Sequence, residues 1–274
     1  MIAFNGQYLD QASHGNMRIT AACLGGQWVI DNRYMTHATQ QAIIAAFGRE
    51  EGKAVISRTN DYLNALALTD HTRAQQLAMF INEDPLLVTS LVETSKVRGV
   101  KCTKDPYIRT NFSLGDVSFI KCKYITSTTS GFRFGSRVGA SGSKGLIVDV
   151  SPDNALKVRY YQEPSGIRWT VLADVTANSV NTTDILFDED VIINNGNTKN
   201  VTWNKEARDN AVGNFGGYDG AVLIDIDTDI AHFIPHLRPN GEAGMLDIIS
   251  GTFHPNANTQ GAFTIALTDK TPLL

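Results

Sequence analysis

The chain has 274 residues and a formal net charge of −4, and 42% of its residues are hydrophobic against 19% that are charged. This balance supports a folded core in one large domain or two ordinary ones and excludes a chain that is disordered throughout. The absence of any run of about 18 apolar residues excludes a membrane-spanning helix, and the first residues predict no signal peptide. The acidic balance disfavours nucleic acid as a partner.

The amino-terminal segment predicts a β-hairpin. Two β-rich runs, residues 18–24 and 27–30, flank the dipeptide Gly25-Gly26. Two glycines between two such runs are typical of a two-residue hairpin turn.

A helical segment follows the hairpin and extends to about residue 95. Thr36, Thr59 and Asp70 each precede an apolar run with helical spacing, and we predict that each caps a helix. Asp84-Pro85 places an acid at the N-cap and proline at the first position of a fourth helix. We interpret the apolar stripes of these helices as core rather than as a groove for a partner.

From about residue 96 the helical periodicity fades and short β-rich segments replace it. Strands are predicted at residues 117–125, 146–150, 156–161 and 167–172, between turn dipeptides such as Asn195-Gly196. We therefore predict an α+β protein. An amino-terminal β-hairpin and short helical segment (residues 1–95) precede a large, sandwich-like antiparallel β region (residues 96–274), and a single domain with one shared core is the alternative.

Residues 126–145 are the one biased stretch, rich in glycine and serine, and they carry Arg133, Arg137 and Lys144. We interpret the stretch as a flexible exposed loop whose cations contact a neighbouring subunit or a ligand. A phosphate-binding loop places lysine directly after its second glycine and a helix after that, and this order is broken here. We therefore predict no nucleotide and no other cofactor.

Three carboxylates, those of Asp225, Asp227 and Asp229, alternate along one predicted strand. Alternation places them on one face of the strand, where oxygen ligands could contribute to a site for a hard cation such as calcium. The alternative is a solvated or edge strand that charge protects from aggregation. A second candidate metal site combines Asp229 with His232 and His236, although the intervening proline excludes the helical zinc motif.

The segment 214–220, Asn-Phe-Gly-Gly-Tyr-Asp-Gly, has the composition of a loop that binds sugars or proteins. It supplies the candidate ligand residues Phe215 and Tyr218, and Trp203 is a third. The alternative is a glycine-rich loop whose aromatic side chains anchor it in the core. An exposed pocket at Tyr218 or Trp203 would favour ligand binding.

Two further patterns concern acids and thiols. The triplet Asp188-Glu189-Asp190 could hold the acid and base of a hydrolase, and a surface turn is the alternative. Cys102 and Cys122 lie in strand-like stretches, and we expect two buried thiols rather than a disulfide.

No catalytic motif or cofactor fingerprint is present, and a helical segment precedes a long β region rich in Thr, Asn and Gly with a Gly/Ser loop. In this overall texture the chain resembles bacteriophage virion proteins such as tail, neck, capsid and decoration subunits. The resemblance implies a non-enzymatic protein that self-associates, contacts other structural subunits, and lies in the virion or, before assembly, in the host cytoplasm. It carries over no functional residue. Two alternatives stay open: a carbohydrate- or receptor-binding module, and a hydrolase that uses a carboxylate pair.

Overall fold

A computed structural model describes the strands that lie between residues 2 and 31, and residues 34–126, 131–138, 144–150, 155–162 and 166–269. The chain divides into two compact units, Met1–Val92 and Glu93–Leu274. Whether the helical segment and the β region share one core stays a prediction.

The first unit combines short strand pairs with helices. Its elements are β1 (Ile2–Phe4), β2 (Gln7–Leu9), β3 (Ala12–His14), β4 (Met17–Ile19), β5 (Ala21–Leu24), β6 (Gln27–Asp31), α1 (His37–Phe47), α2 (Arg49–Thr69), α3 (His71–Glu83), a 3-10 turn (Pro85–Leu87) and α4 (Val88–Leu91). The strands pair as β1–β2, β3–β4 and β5–β6, each antiparallel. In the last pair Leu24 lies opposite Gln27, as in the predicted hairpin, and Gly25 and Gly26 lie outside the described residues. The predicted run 18–24 is divided, because residues 17–19 pair with β3 instead.

Two of the predicted helix caps are confirmed. The hydroxyl of Thr36 accepts a hydrogen bond from the Thr39 amide (3.2 Å), and the carboxylate of Asp70 accepts one from the Arg73 amide (2.9 Å). Each bond satisfies a backbone donor that the first turn of a helix leaves without an internal partner. Asp84 likewise accepts a bond from a backbone amide, but it begins the 3-10 turn rather than an α-helix.

The predicted cap at Thr59 is wrong. Thr59 lies buried in the middle of α2, and its hydroxyl donates to the carbonyl of Val55 (2.8 Å). A threonine inside a helix can bond the carbonyl four residues earlier, so its polar group needs no helix end. The apolar stripes are buried as expected, with no exposed surface at Ile43, Val55, Leu63 or Ile81.

The second unit is built from antiparallel strands. Its elements are β7 (Lys96–Thr103), β8 (Tyr107–Ile108), a 3-10 turn (Leu114–Asp116), β9 (Phe119–Ile125), β10 (Phe132–Val138), β11 (Lys144–Val150), β12 (Ala155–Gln162), β13 (Gly166–Asp174), β14 (Val180–Leu186), β15 (Val191–Asn194), β16 (Asn197–Asn200), α5 (Lys205–Asp209), β17 (Phe215–Gly217), β18 (Val222–Thr228), β19 (His232–Leu237), β20 (Ala243–Asp247), β21 (Thr252–Pro255) and β22 (Ala262–Asp269).

These strands form two sheets around one core. A six-stranded sheet has the order β13-β12-β11-β10-β17-β8, and a ten-stranded sheet has the order β16-β15-β14-β9-β18-β19-β20-β21, with β7 beside β18 and β22 beside β7. One cluster of buried side chains includes Phe134, Val148 and Val158 of the first sheet and Ile120, Tyr124 and Phe233 of the second. An α+β protein with a large antiparallel β region is therefore confirmed. We call the face of each sheet that meets this core its inner face, and the opposite face its outer face.

The predicted loop at residues 126–145 is corrected in part. Residues 132–138 form β10, and Phe132 and Phe134 are buried because alternate side chains of a strand point to the core. Residues 127–130 and 139–143 of that stretch lie outside the described residues.

The predicted turn at Asn195-Gly196 connects β15 to β16. Both residues have positive φ angles, 48° for Asn195 and 81° for Gly196. Two successive positive φ values are what the tightest hairpin turn requires, and Asn-Gly is its preferred sequence.

The two cysteines of the β region are free and buried, as expected. Burial raises the pKa of the Cys122 thiol well above its ordinary value, and nearby carboxylates raise it further. Burial also raises the pKa of the Cys102 thiol, so the folded structure disfavours the thiolate at both positions. Within the part of the chain that the structure describes, no helix has the length and apolarity that crossing a membrane requires.

Candidate functional site

The register of the six-stranded sheet brings distant residues into one row on its outer face. Tyr107 of β8 lies opposite Gly216 of β17, and Gly216 lies opposite Arg133 of β10. Arg133 in turn lies opposite Asp149 of β11. Because neighbouring residues such as Phe215 point to the core, the side chains of this row point away from it.

A cavity of about 300 Å³ opens at this row, and we call it the Tyr218 pocket. It is lined by Asp105, Pro106, Tyr107, Arg133, Gly135, Ser136, Ile147, Asn214, Gly216, Gly217 and Tyr218. Pockets for small ligands have volumes of about 300–1,000 Å³, so this one suits a small ligand.

Glycines make the space. A β-carbon on Gly216 would lie 2.6 Å from the carbonyl oxygen of Pro106 and 2.7 Å from the Tyr107 β-carbon. Gly135 has a φ of +92°, and a β-carbon there would collide with the carbonyl oxygen of Leu146. Both positions therefore require glycine, and the side chains around them form walls about a bare backbone.

Two walls are held by a cation–π contact. The guanidinium of Arg133 lies 4.5 Å from the ring centre of Tyr218. The amide of Tyr218 donates to the carbonyl of Gly131 (2.8 Å), which fixes the backbone beside the ring. Both side chains are half-buried, so each also presents surface to the pocket.

The row continues from Arg133 onto the next two strands. Asp149, directly opposite Arg133, is completely buried, and it also lies opposite Lys157 of β12. The register thus places one acidic residue between two basic ones on neighbouring strands.

The third wall comes from the segment before β8. The hydroxyl of Tyr107 accepts a hydrogen bond from the side chain of Arg109 (3.3 Å), and its amide donates to the side-chain oxygen of Asn256 (3.1 Å). The side-chain amide of Asn258 donates to the carbonyls of Lys104 and Asp105 (3.1 and 3.0 Å). Two asparagines about 150 residues away along the chain therefore fix this wall, and the sequence alone did not indicate either of them.

Of the three predicted ligand residues, the structure places only Tyr218 in the pocket. Phe215 has no exposed surface and packs in the core 5.7 Å from the ring of Phe233, so its assignment as a ligand residue is corrected. Trp203 is partly buried and packs edge-on against Phe187, with ring centres 4.9 Å apart. Alternation along β17 sends Phe215 inward, and the chain turns outward again at Tyr218.

The three cations predicted to contact a subunit have separate positions. Arg133 lines the pocket, Arg137 lies near the end of β10, and Lys144 begins β11. The predicted subunit contact stays a prediction.

The three aspartates predicted to bind metal have protein partners. His232 contacts Asp225 through Nε2 (2.7 Å) and approaches Asp227 through Nδ1 (3.8 Å). Asp229 accepts hydrogen bonds from the amide and hydroxyl of Ser118 (3.1 and 2.9 Å). Among the described residues no three His, Cys, Asp or Glu side chains are placed to hold a metal ion. The geometry thus gives no support to the predicted metal sites, including the one that combined Asp229 with both histidines.

The acidic triplet predicted as a candidate for hydrolysis lies in the turn between β14 and β15. Asp188, Glu189 and Asp190 are all exposed, and Asp190 has a φ of 55°. These are the properties of a surface turn, the alternative that the sequence left open.

Comparison with known proteins gives distant matches only. No protein-family model and no curated protein matches the chain. Among solved structures, congerin II liganded with lactose and MES is 16% identical and covers 46% of this chain and 100% of its own, with a TM-score of 0.33. A tetrameric galectin from the sponge Cinachyrella sp. is 11% identical over 45% of this chain and 98% of its own, with a TM-score of 0.34. The Caenorhabditis elegans galectin LEC-6 is 9% identical over 48% of this chain and 95% of its own, also with a TM-score of 0.34.

At these values the likeness assigns neither a site nor an activity to this chain. The comparisons nevertheless correct the predicted function, because the matches are to galectins and a congerin rather than to phage structural proteins. A subunit of a virion is therefore wrong as the main interpretation. The resemblance in texture that suggested it is not tested by these matches.

Proposed function

We propose that the protein binds carbohydrate at the Tyr218 pocket. The observation that carries the proposal is the pocket itself, where half-exposed Tyr107 and Tyr218 stand beside the bare backbone of Gly216. An exposed pocket at Tyr218 is the feature that distinguishes a ligand-binding loop from one whose aromatic side chains only anchor it in the core.

The lining matches the surface of a sugar ring. A sugar presents apolar C–H groups, against which tyrosine rings pack, and hydroxyls that both donate and accept hydrogen bonds. Arg133 offers only donors, Asp105 offers only acceptors, and Asn214 and Ser136 offer both. Such a mixture can satisfy several hydroxyls of one ring, and backbone atoms at the glycine floor add further partners.

The lining favours binding over hydrolysis. Glycosidases use two carboxyl groups about 5–10 Å apart on either side of the scissile bond. Within the described part of the chain, the pocket lining includes one carboxylate, that of Asp105. The exposed acids of residues 188–190 do not line it.

A glycan array probed with the full chain tests the proposal, followed by calorimetric titration of the sugars that bind. The array should span uncharged and acidic glycans and include lactose. We expect Tyr218→Ala to weaken the best sugar at least tenfold, because the variant loses a ring surface and the contact that orients Arg133. Tyr218→Phe should retain most of the affinity, since it keeps the ring.

Trp203→Phe is the matched control, because Trp203 was an equal candidate in the sequence but does not line the pocket. We expect its affinity for sugar to stay within about twofold of the unaltered protein, because the altered side chain lies outside the pocket. A twofold change in affinity corresponds to about 0.4 kcal/mol. An array without a hit, or a Tyr218→Ala variant that binds normally, would reject the proposal.

The expected self-association is kept as part of this proposal. Several linked copies of one weak sugar site bind a multivalent glycan more tightly than a single copy does. Light scattering over a range of concentrations measures the mass in solution, and a monomer throughout would reject this part alone.

A further inference from the structure

We propose that the Tyr218 pocket selects uncharged sugars against acidic ones, and that the carboxylate of Asp105 is the group that excludes the acids. The inference rests on the proposed function and adds to it the class of sugar. Uronic acids, sialic acids and sulfated sugars are the ligands that the site rejects.

Asp105 is fixed at the rim of the pocket. Its φ of 54° follows a φ of 56° at Lys104, and the carbonyls of both residues accept hydrogen bonds from the side chain of Asn258. One carboxylate oxygen of Asp105 accepts a bond from the amide of Asp219 (3.3 Å). The backbone and the side chain are thus both tied, yet the residue is exposed, so its remaining lone pairs point to solvent and to a ligand.

A second carboxylate, that of Asp219, lies next to Asp105 but does not line the pocket. The side chain of Asp219 accepts a hydrogen bond from the amide of Lys104 (3.4 Å), so each carboxylate fixes the backbone of the segment that carries the other. Neither forms an ion pair with a cation of the described residues, Lys104 included. Within the described residues, the negative charge of Asp105 at the rim is therefore not neutralised by an ion pair.

The effect of this charge reaches the thiol beneath the floor. A β-carbon on Gly217 would lie 2.9 Å from the sulfur of Cys102, which places that thiol directly behind the lining. Burial raises the pKa of Cys102, and the charges of Asp105 and Asp219 raise it further. The two carboxylates thus act on the thiol that lies behind the floor of the pocket.

Arg133 lies on another wall of the pocket, where its guanidinium packs over the ring of Tyr218 at 4.5 Å. In that position it can donate to a sugar hydroxyl, whereas the carboxylate of Asp105 at the rim can only accept.

Uncharged and acidic sugars therefore interact differently with the carboxylate at the rim. A hydroxyl of an uncharged sugar donates to the Asp105 carboxylate in a charge-assisted hydrogen bond. A carboxylated or sulfated sugar brings a second anion to the same rim, in a partly desolvated pocket where like charges repel more strongly than in water. Repulsion of the wrong ligand adds to attraction of the right one.

Matched pairs of sugars test the inference by calorimetric titration at low salt with the full chain. The methyl glycosides of glucose and galactose are each compared with the methyl glycoside of the corresponding uronic acid. Within a pair the two ligands differ only in that one carries a carboxylate at C6. We expect each acid to bind at least tenfold more weakly than its uncharged partner.

Two variants locate the cause. Asp105→Asn keeps the size and most hydrogen bonds of the side chain but removes its charge, and we expect the ratio within each pair to fall below about threefold. Asp188→Asn changes the net charge by the same amount at an exposed turn outside the lining, and it should leave the ratio unchanged. Salt at about 0.5 M should also narrow the ratio in the unaltered protein, since it screens charges at an exposed rim.

The outcomes separate the two proposals. If acids and uncharged sugars bind equally, or if Asp105→Asn leaves the ratio unchanged, the inference is overturned and the carbohydrate site stands. If neither the glycan array nor either pair shows binding, the proposed function fails and the inference falls with it. If the array shows that acidic glycans bind at least as well as uncharged ones, the inference is overturned and the carbohydrate site stands.

Discussion

The outer faces of the two sheets are built on the same backbone geometry and have opposite characters. On the six-stranded sheet, glycines interrupt the row of side chains at Gly216 and Gly135 and leave a pocket. On the ten-stranded sheet, four adjacent strands carry a row of long polar side chains. The register sets Asp184, Lys121, Asp227 and His232 side by side.

Charges alternate along that row, because Lys121 lies opposite both Asp184 and Asp227, and Asp227 lies opposite His232. His232 contacts Asp225 (2.7 Å), which lies opposite Lys123, and the ammonium of Lys121 lies 5.2 Å from the ring centre of Phe119. Cross-strand pairs of opposite charge stabilise a sheet modestly and fill its surface.

The difference shows what makes a sheet face into a binding site. A face covered by long side chains leaves less space for a ligand. A face in which glycines remove side chains exposes the walls that remain, together with their unused polar groups. The pocket thus depends on two residues that cannot themselves contact a ligand through a side chain.

Replacing Gly135, on the face that carries the pocket, should lower the free energy of unfolding more than any other substitution considered below. Gly135→Ala places a β-carbon against the Leu146 carbonyl at a φ of +92°, and we expect a loss of about 2–4 kcal/mol in the free energy of unfolding. Gly196→Ala is the control, because Gly196 has a similar φ of +81° but open space around it. It should cost only about 1 kcal/mol. Chemical denaturation of both variants measures the difference, and equal costs would show that the backbone angle alone requires glycine at residue 135.

The core between the two sheets should exclude water, and the two buried thiols test this expectation. Cys102 and Cys122 have pKa values raised above the ordinary 9.0, with burial as the main cause. Below pH 9 both states hold the thiol proton, whereas above it the unfolded chain releases the proton and the folded one does not. The stability contributed by the raised pKa is therefore complete below pH 9 and falls above it, by about 1 kcal/mol per thiol at pH 10.

Denaturation at pH 8, 9 and 10 measures this slope. Peptide mapping after brief treatment with iodoacetamide gives an independent test, in which both thiols should stay unlabelled until denaturant is added. Rapid labelling in the native protein would show that water reaches the space between the sheets.

A substitution on the outer face of the ten-stranded sheet should change the free energy of unfolding least. Asp225→Asn removes one partner of His232, and we expect a loss of about 0.5–1 kcal/mol, since both side chains lie near the surface, 30% and 16% exposed. In 1 M salt the loss should shrink, because screening weakens the pair in the unaltered protein. Asp188→Asn, at an exposed turn, should have almost no effect. A loss above about 2 kcal/mol for Asp225→Asn would mean that this face stabilises the sheet more than surface pairs do.

Local signals in the sequence predicted local structure well. The caps at Thr36 and Asp70 and the turn at Asn195-Gly196 are each decided by a few neighbouring residues, and the structure has all three. The predicted cap at Thr59 was wrong because a threonine hydroxyl can either cap a helix end or, as here, donate to a carbonyl inside a helix.

The pocket was predictable only in part, since it is assembled from distant segments. The composition around Tyr218 indicated a binding loop, but nothing in that segment pointed to Tyr107 or Asn258, which strand pairing and a long-range hydrogen bond bring to it. The choice between Phe215 and Tyr218 depended on which face each residue takes, and one position along a strand reverses that. Arg133 was singled out for its charge, whereas its position over Tyr218 follows from the register of β10 and β17.

The pairing of β7 with β22 has a consequence for how the second unit is made. Eight residue pairs join these strands, from Thr103 opposite Ala262 to Lys96 opposite Asp269. During translation β7 leaves the ribosome before every other strand of its unit, and its partner leaves last. Contacts between such distant segments slow folding, and an incomplete sheet has an edge open to aggregation while it waits. We infer that the nascent chain needs protection for β7 until residue 269 has been synthesised.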